Sequence, residues 1–277
     1  MNASKVDSAA HERLRDVFPD LVETLKDFIR RREVSHEEYR QAVEFLCRVA
    51  QQDELRLFLD VFLEATVDQV DSAGRPGTAT CVEGPYYVAG APVLRSPCVL
   101  PHRASEPGEP MVFSGTVRGT DGEPLSGAVL DVWQADGAAA YSHFHIPKEE
   151  APYNLRGQVI ADELGRFEIQ TWVSAVCHIR DNGPTGELLA VLGRHPMRPA
   201  HIHVKLTHET CLPLTTQLYF SNSPYLDSDV VGAVKAPLIV QLGKRDDPAE
   251  IARRGLKQPF HTLRYDFALP RRLAKAA

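Results

Sequence analysis

The chain has 277 residues, 43% hydrophobic and 25% charged, the proportions of an ordinary folded protein with room for a full core. Its net charge of −6, with lysine and arginine spread along the chain, gives no basic footprint, so no nucleic-acid partner is expected. No run reaches the roughly eighteen apolar residues of a membrane span, and the polar start Met1–Asp20 has no export signal; a cytoplasmic protein without membrane contact is expected.

From Ser8 to Val70 the pattern is helical. Leu21, Leu25 and Phe28 recur at helical spacing, and Ser35-His36-Glu37-Glu38 is a capping box that opens a second helix. A third carries Leu55, Leu57, Phe58, Val61, Phe62 and Val67 before Gly74, Pro76 and Gly77 end the series. These helices hold more apolar surface than a hairpin can bury on itself, so they should pack on the second half, on a partner subunit, or on both.

From about residue 79 the texture becomes short β-type runs separated by Gly and Pro. Strands are expected at Met111–Arg118, Ala128–Gln134, Arg166–Trp172, Pro199–Thr207 and Leu214–Ser221, with turns at Asp121–Pro124 and Asp162–Gly165. The fold class predicted is mainly β, a β-sandwich over 79–277 preceded by a helical segment over 1–78. The five cysteines are odd in number with no C-x-x-C pair, as expected of reduced thiols.

His201 and His203 stand two apart in a predicted strand, so both imidazoles project from one face, which suits two ligands on one metal ion. The same spacing also fits a loop cap beside a half-exposed histidine. Arg198 and Pro199 precede them, a permanent positive charge and a fixed backbone. Tyr141 follows the Ala128–Gln134 strand; it reads as a lid over the core or, as phenolate, as a hard ligand for ferric iron.

Six motifs in order carry a family resemblance: Glu83-Gly84-Pro85-Tyr86-Tyr87-Val88-Ala89-Gly90-Ala91-Pro92, Ala128-Val129-Leu130-Asp131-Val132-Trp133-Gln134-Ala135, Asn154-Leu155-Arg156-Gly157, Gly183-Pro184-Thr185-Gly186, Leu192-Gly193-Arg194-His195-Pro196 and Arg198-Pro199-Ala200-His201-Ile202-His203. Together they resemble the intradiol aromatic-ring dioxygenases, in the catechol and hydroxyquinol 1,2-dioxygenase branch. The resemblance implies one ferric ion per subunit, held by two tyrosines and two histidines. It carries Tyr141, His201 and His203 onto three of those positions, and Cys177 falls where the second tyrosine belongs. No tyrosine lies between Tyr153 and Tyr219.

Three alternatives are open at that position: a Cys177 thiolate ligand, His178 as ligand in its stead, or a cysteine filler with three protein ligands and water. The resemblance further places Arg198 and Gln217 beside the substrate and Val82, Pro85 and Val230 around its ring. It implies oxidative cleavage of a small aromatic diol by O2, to a muconate-type or maleylacetate-type acid. Pro224–Asp229 resembles the hydroxyquinol enzymes, whereas Gln217 and Ala249–Arg254 resemble the catechol enzymes. The family's helical segment implies a homodimer, with a lipid at its interface in some relatives. Two rival readings stand beside it: an intradiol-like enzyme whose altered metal site runs another reaction, and a non-catalytic β-sandwich binding module.

Overall fold

A computed structural model describes residues 8–146, 148 and 151–272; the first seven and last five residues of the expected segments, 1–78 and 79–277, lie outside it. The chain divides into two compact units, one ending at Asp53 and the other beginning at Glu54.

The first unit is two helices, Ser8–Arg32 and His36–Gln51. The capping box forms as its sequence demands: the Glu38 amide donates to Ser35 Oγ at 3.2 Å, and the Ser35 amide donates to Glu38 Oε2 at 2.8 Å. Pairs such as Lys26–Glu23 line the solvent side of the longer helix. Leu21, Leu25 and Phe28 share a face of that helix and are about half exposed.

The second unit opens with a helical stretch, Leu55–Leu59, a π-helical turn Asp60–Glu64, and Ala65–Asp71. Val61 packs with Ile179, Leu189 and Val230, which ties this stretch to the unit's later part. One sheet runs in the order Val93–Arg95, Arg156–Ile160, Val129–Trp133, His201–Thr207, Leu214–Phe220, Ile239–Val240. The other runs Gly243–Arg245, Phe260–Arg264, Pro110–Gly119, Arg166–Trp172, Cys98–Val99, with Phe267–Leu269 also on Pro110–Gly119. Both mix parallel and antiparallel pairs.

One core takes residues from both sheets, Phe113, Phe167 and Ile169 from one and Leu130, Val204 and Leu218 from the other. A third, two-stranded sheet pairs Cys177–His178 with Met197–Arg198, which brings Cys177 opposite Arg198. Helix and strand shares are nearly equal over the described residues, so the expected mainly-β class holds only for the part beyond the helices. Among the described residues no helix is long and apolar enough to cross a membrane.

Candidate active site

Alternation along His201–Thr207 sends His201 and His203 to the same face of the sheet. The cross-strand register sets Trp133 and Gln217 on either side of His203, and Tyr219 beside His201. The indole of Trp133 lies flat on the His203 ring, centroids 4.7 Å apart and planes 10° apart. The two histidine Nε2 atoms are 3.0 Å apart.

Tyr141 reaches this pair from the loop after Val129–Trp133. Asp136 shapes that loop by accepting from the Ala138 and Ala140 amides at 2.8 and 2.9 Å. The Tyr141 ring stacks on Tyr86 at 4.5 Å, and the Arg156 guanidinium lies 5.9 Å from its centroid. Arg156 is itself fixed by donating to the Tyr86 carbonyl at 2.7 Å and to Ser142 Oγ at 2.8 Å. The result places Tyr141 Oη 3.1 Å from His203 Nε2 and 3.5 Å from His201 Nε2. All three side chains are buried.

This cluster has the chemistry of a cation site. His201 Nδ1 lies 2.7 Å from the Pro199 carbonyl, which fixes the proton on Nδ1 and leaves Nε2 a free lone pair aimed at its neighbours. Burial and then the Arg198 charge lower the His201 pKa to about 3. Burial, then His201, push His203 down as well, so both rings are neutral. Burial above all, and Cys177 next, hold the Tyr141 phenol well above its ordinary range. Three heteroatoms thus converge with few protons to share, and a positive ion among them would offset the crowded lone pairs and favour the phenolate. Among the described residues no three His, Cys, Asp or Glu side chains gather as a metal site by themselves. The Tyr141 phenol is the third heteroatom of the cluster.

The cluster lies on the wall of a small cavity. Val82, Pro85, Ile179, Val231 and Leu57 give it an apolar lining, and Tyr86, Cys177, His178 and Arg198 share it. Cys177 is buried and its thiol pKa is raised, chiefly by burial, whereas His178 is exposed. Arg198 is buried as an ion pair with Asp229, Nε to Oδ1 at 3.0 Å and Nη2 to Oδ2 at 3.2 Å. Its Nη2 also donates to Gln217 Oε1 and to Tyr219 Oη, each at 3.1 Å. Burial alone would weaken the guanidinium's hold on its proton, but its interactions with Tyr219 and Asp229 outweigh it.

Most of the residues singled out in the sequence come together here, with two differences in detail. Gln217 is fully buried and meets the cavity through Arg198. Val230 is also fully buried, packed on Val61 and Leu189, and it is the next residue, Val231, that lines the cavity. The cause is local: Asp229 Oδ2 accepts from the Ala233 amide at 3.1 Å, curling the segment so that neighbouring valines face opposite ways. Tyr86, Trp133 and Arg156 stand in the quoted motifs without having been marked as site residues. Asp60 and Glu64, on the cavity's helical wall, carry no signal in the sequence pattern.

Comparison with known proteins places the chain. A family model described as "Catechol dioxygenase N terminus" matches residues 11–78, and one described as "Dioxygenase" matches residues 82–270. Chlorocatechol 1,2-dioxygenase from Rhodococcus opacus is 41% identical over 243 residues, covering 87% of this chain and 94% of that protein. The crystal structure of 3-chlorocatechol 1,2-dioxygenase from Rhodococcus opacus superposes with a TM-score of 0.83 at 36% identity, covering 95% of this chain and 100% of that one. Hydroxyquinol 1,2-dioxygenase from Pseudomonas putida gives a TM-score of 0.84 at 31% identity, covering 98% of this chain and 94% of that one. These matches set aside a non-catalytic binding module: the chain belongs to the intradiol ring-cleaving dioxygenases, a family of oxidoreductases.

Proposed function

We propose that the chain is a non-haem iron(III) enzyme that opens a catechol or hydroxyquinol ring between its two hydroxylated carbons. Both atoms of dioxygen enter the product, a muconate-type or maleylacetate-type acid. The observation that carries the proposal is the convergence of Tyr141 Oη, His201 Nε2 and His203 Nε2 on the wall of a largely apolar cavity. The names of the relatives, chlorocatechol, catechol and hydroxyquinol 1,2-dioxygenase, set the range of diols.

Tyr141, His201 and His203 would hold the ion, one per chain, and their oxygen and imidazole donors suit ferric iron. Bound there, iron(III) supplies the Lewis acidity that draws the two diol oxygens and makes the ring reactive toward dioxygen. The chain's own part is positioning and charge. Val82 and Pro85, with Leu57 and Val231, hold the ring by apolar contact. Arg198 presents a fixed positive charge to the anionic character that builds up as the ring is attacked, with Gln217, Tyr219 and Asp229 keeping it in place. Val230 acts from behind the wall.

Cys177 stands where the family's second tyrosine belongs. Its burial favours the neutral thiol, so we assign iron three protein ligands, with Cys177 as a cavity-wall residue and His178 at the exposed rim. The loss of a displaceable tyrosine is the one observation that favours a second reading, an intradiol-type site running an altered reaction. Oxygen uptake by iron-loaded protein with catechol and with hydroxyquinol decides. Ring-opened diacid from either supports the proposal; uptake without diacid supports the second reading, and no uptake with either contradicts the dioxygenase assignment.

We further propose a cytoplasmic homodimer, paired through the apolar helix face of Leu21, Leu25 and Phe28, where a lipid can lodge. The described cysteines are all free, in keeping with a reducing compartment.

A further inference from the structure

We propose that Glu64 is the proton acceptor for the diol, in place of the tyrosine that Cys177 replaces. The inference rests on the ring-cleavage reading above.

The lining contains nine groups with a proton to gain or lose: Asp60, Glu64, Tyr86, Tyr141, Cys177, His178, Arg198, His201 and His203. Tyr141, His201 and His203 form the ion cluster, and Arg198 is a cation locked to Asp229. Tyr86 and Cys177 keep their protons, since burial raises both, the phenol and the thiol alike. His178 is exposed at the rim. Asp60 is engaged by Arg56, Oδ2 to Nε at 3.5 Å. That leaves the half-buried carboxylate of Glu64.

The backbone explains how Glu64 comes to face the cavity. Asp60–Glu64 is a π-helical turn, wider than the α-helix on either side, a device that recurs at functional sites. Within the turn, residues four apart stay on one wall, and Asp60, Val61 and Glu64 all line the cavity. Burial first, then the Asp60 charge, raise the Glu64 pKa above its ordinary value; Arg198, Arg56 and the Glu83 backbone oppose the rise. A carboxylate moved upward in this way is a better base than an ordinary one.

One diol hydroxyl gives its proton to the Glu64 carboxylate, which becomes a neutral acid, and the diol oxygen is left as an anion. After ring opening the proton passes to the carboxylate product or to solvent, restoring Glu64.

The test uses iron-loaded, full-length protein. Glu64→Gln should lower kcat by about 10²-fold and remove the acid limb of the kcat pH profile, while Glu64→Asp retains that limb. Anaerobic addition of catechol should produce a protonated-carboxyl infrared band in the wild type that Glu64→Gln lacks. In a Cys177→Tyr background, where the ligand tyrosine is back, the Glu64→Gln loss should shrink to a few-fold. Three results would overturn the proposal: an unchanged acid limb in Glu64→Gln, no Glu64-dependent band, or the same limb disappearing in His178→Ala instead. Failure of the ring-cleavage reading shows separately, as a wild type that consumes no dioxygen with either diol.

Discussion

Arg198 and Asp229 form a two-pronged ion pair inside the protein, with contacts of 3.0 and 3.2 Å. The pair sets a charged group on the cavity wall and, through the amides that Asp229 accepts, shapes the segment bearing Val231. Removing the carboxylate leaves a buried cation without its partner. Asp229→Ala should therefore cost about 3–5 kcal/mol of stability, read by urea unfolding. Replacing both partners by apolar residues, Arg198→Met with Asp229→Leu, should recover much of that stability and none of the ring cleavage. A single variant as stable as the wild type would contradict a structural and electrostatic clamp.

Acid should destabilise the metal-free protein early. His201 is lowered from 6.5 to about 3, first by burial and then by Arg198, and His203 is lowered in the same direction. Between those values the unfolded chain binds protons that the folded one refuses, so stability falls as pH drops. Asp229 adds to the fall further down: burial would raise its pKa, but Arg198 wins and holds it low, so its contribution is present above the unfolded value and lost as pH falls through the folded one. Urea midpoints at pH 7 and pH 5 check this, and an equal or higher midpoint at pH 5 would contradict it.

Tyr141→Phe should leave the fold intact and abolish the visible absorption of iron-loaded protein, because the colour of such a centre comes from phenolate bound to iron(III). Cys177→Tyr should add a second phenolate and change that spectrum. An unaltered band in Tyr141→Phe would remove Tyr141 from the ligand set.

Ring substituents should be sorted by charge. Asp60 and Glu64 share the cavity with the apolar wall, so a diol bearing a carboxylate would set like charges against each other. Turnover of catechol or hydroxyquinol should exceed that of a carboxylated catechol at equal concentration, and neutralising both acids, Asp60→Asn with Glu64→Gln, should narrow the gap in KM. A carboxylated catechol with the lower KM in the wild type would contradict the charge sorting.

How much of this was legible in sequence depended on periodicity. The His201–His203 pair, its strand and the Ser35 capping box are set by alternation or by local hydrogen bonding, and all appear where the pattern puts them. The helical wall of the cavity did not show, because a π-helical turn breaks the 3.6-residue period and aims Asp60 and Glu64 inward without a pattern to announce it. Val230 and Val231 exchange roles for a related reason: in an irregular segment, side-chain direction follows from hydrogen bonds such as that between Asp229 and the Ala233 amide. Asp229 is paired with Arg198 by a fold contact between residues 31 apart, which no local spacing announces.

The central claim is tested most directly by giving the iron-loaded protein catechol or hydroxyquinol under isotopically labelled dioxygen and weighing the product. The account predicts a ring-opened diacid carrying both labelled atoms, one in each new carboxyl group. An unopened ring, or a semialdehyde from cleavage beside the diol, would contradict it.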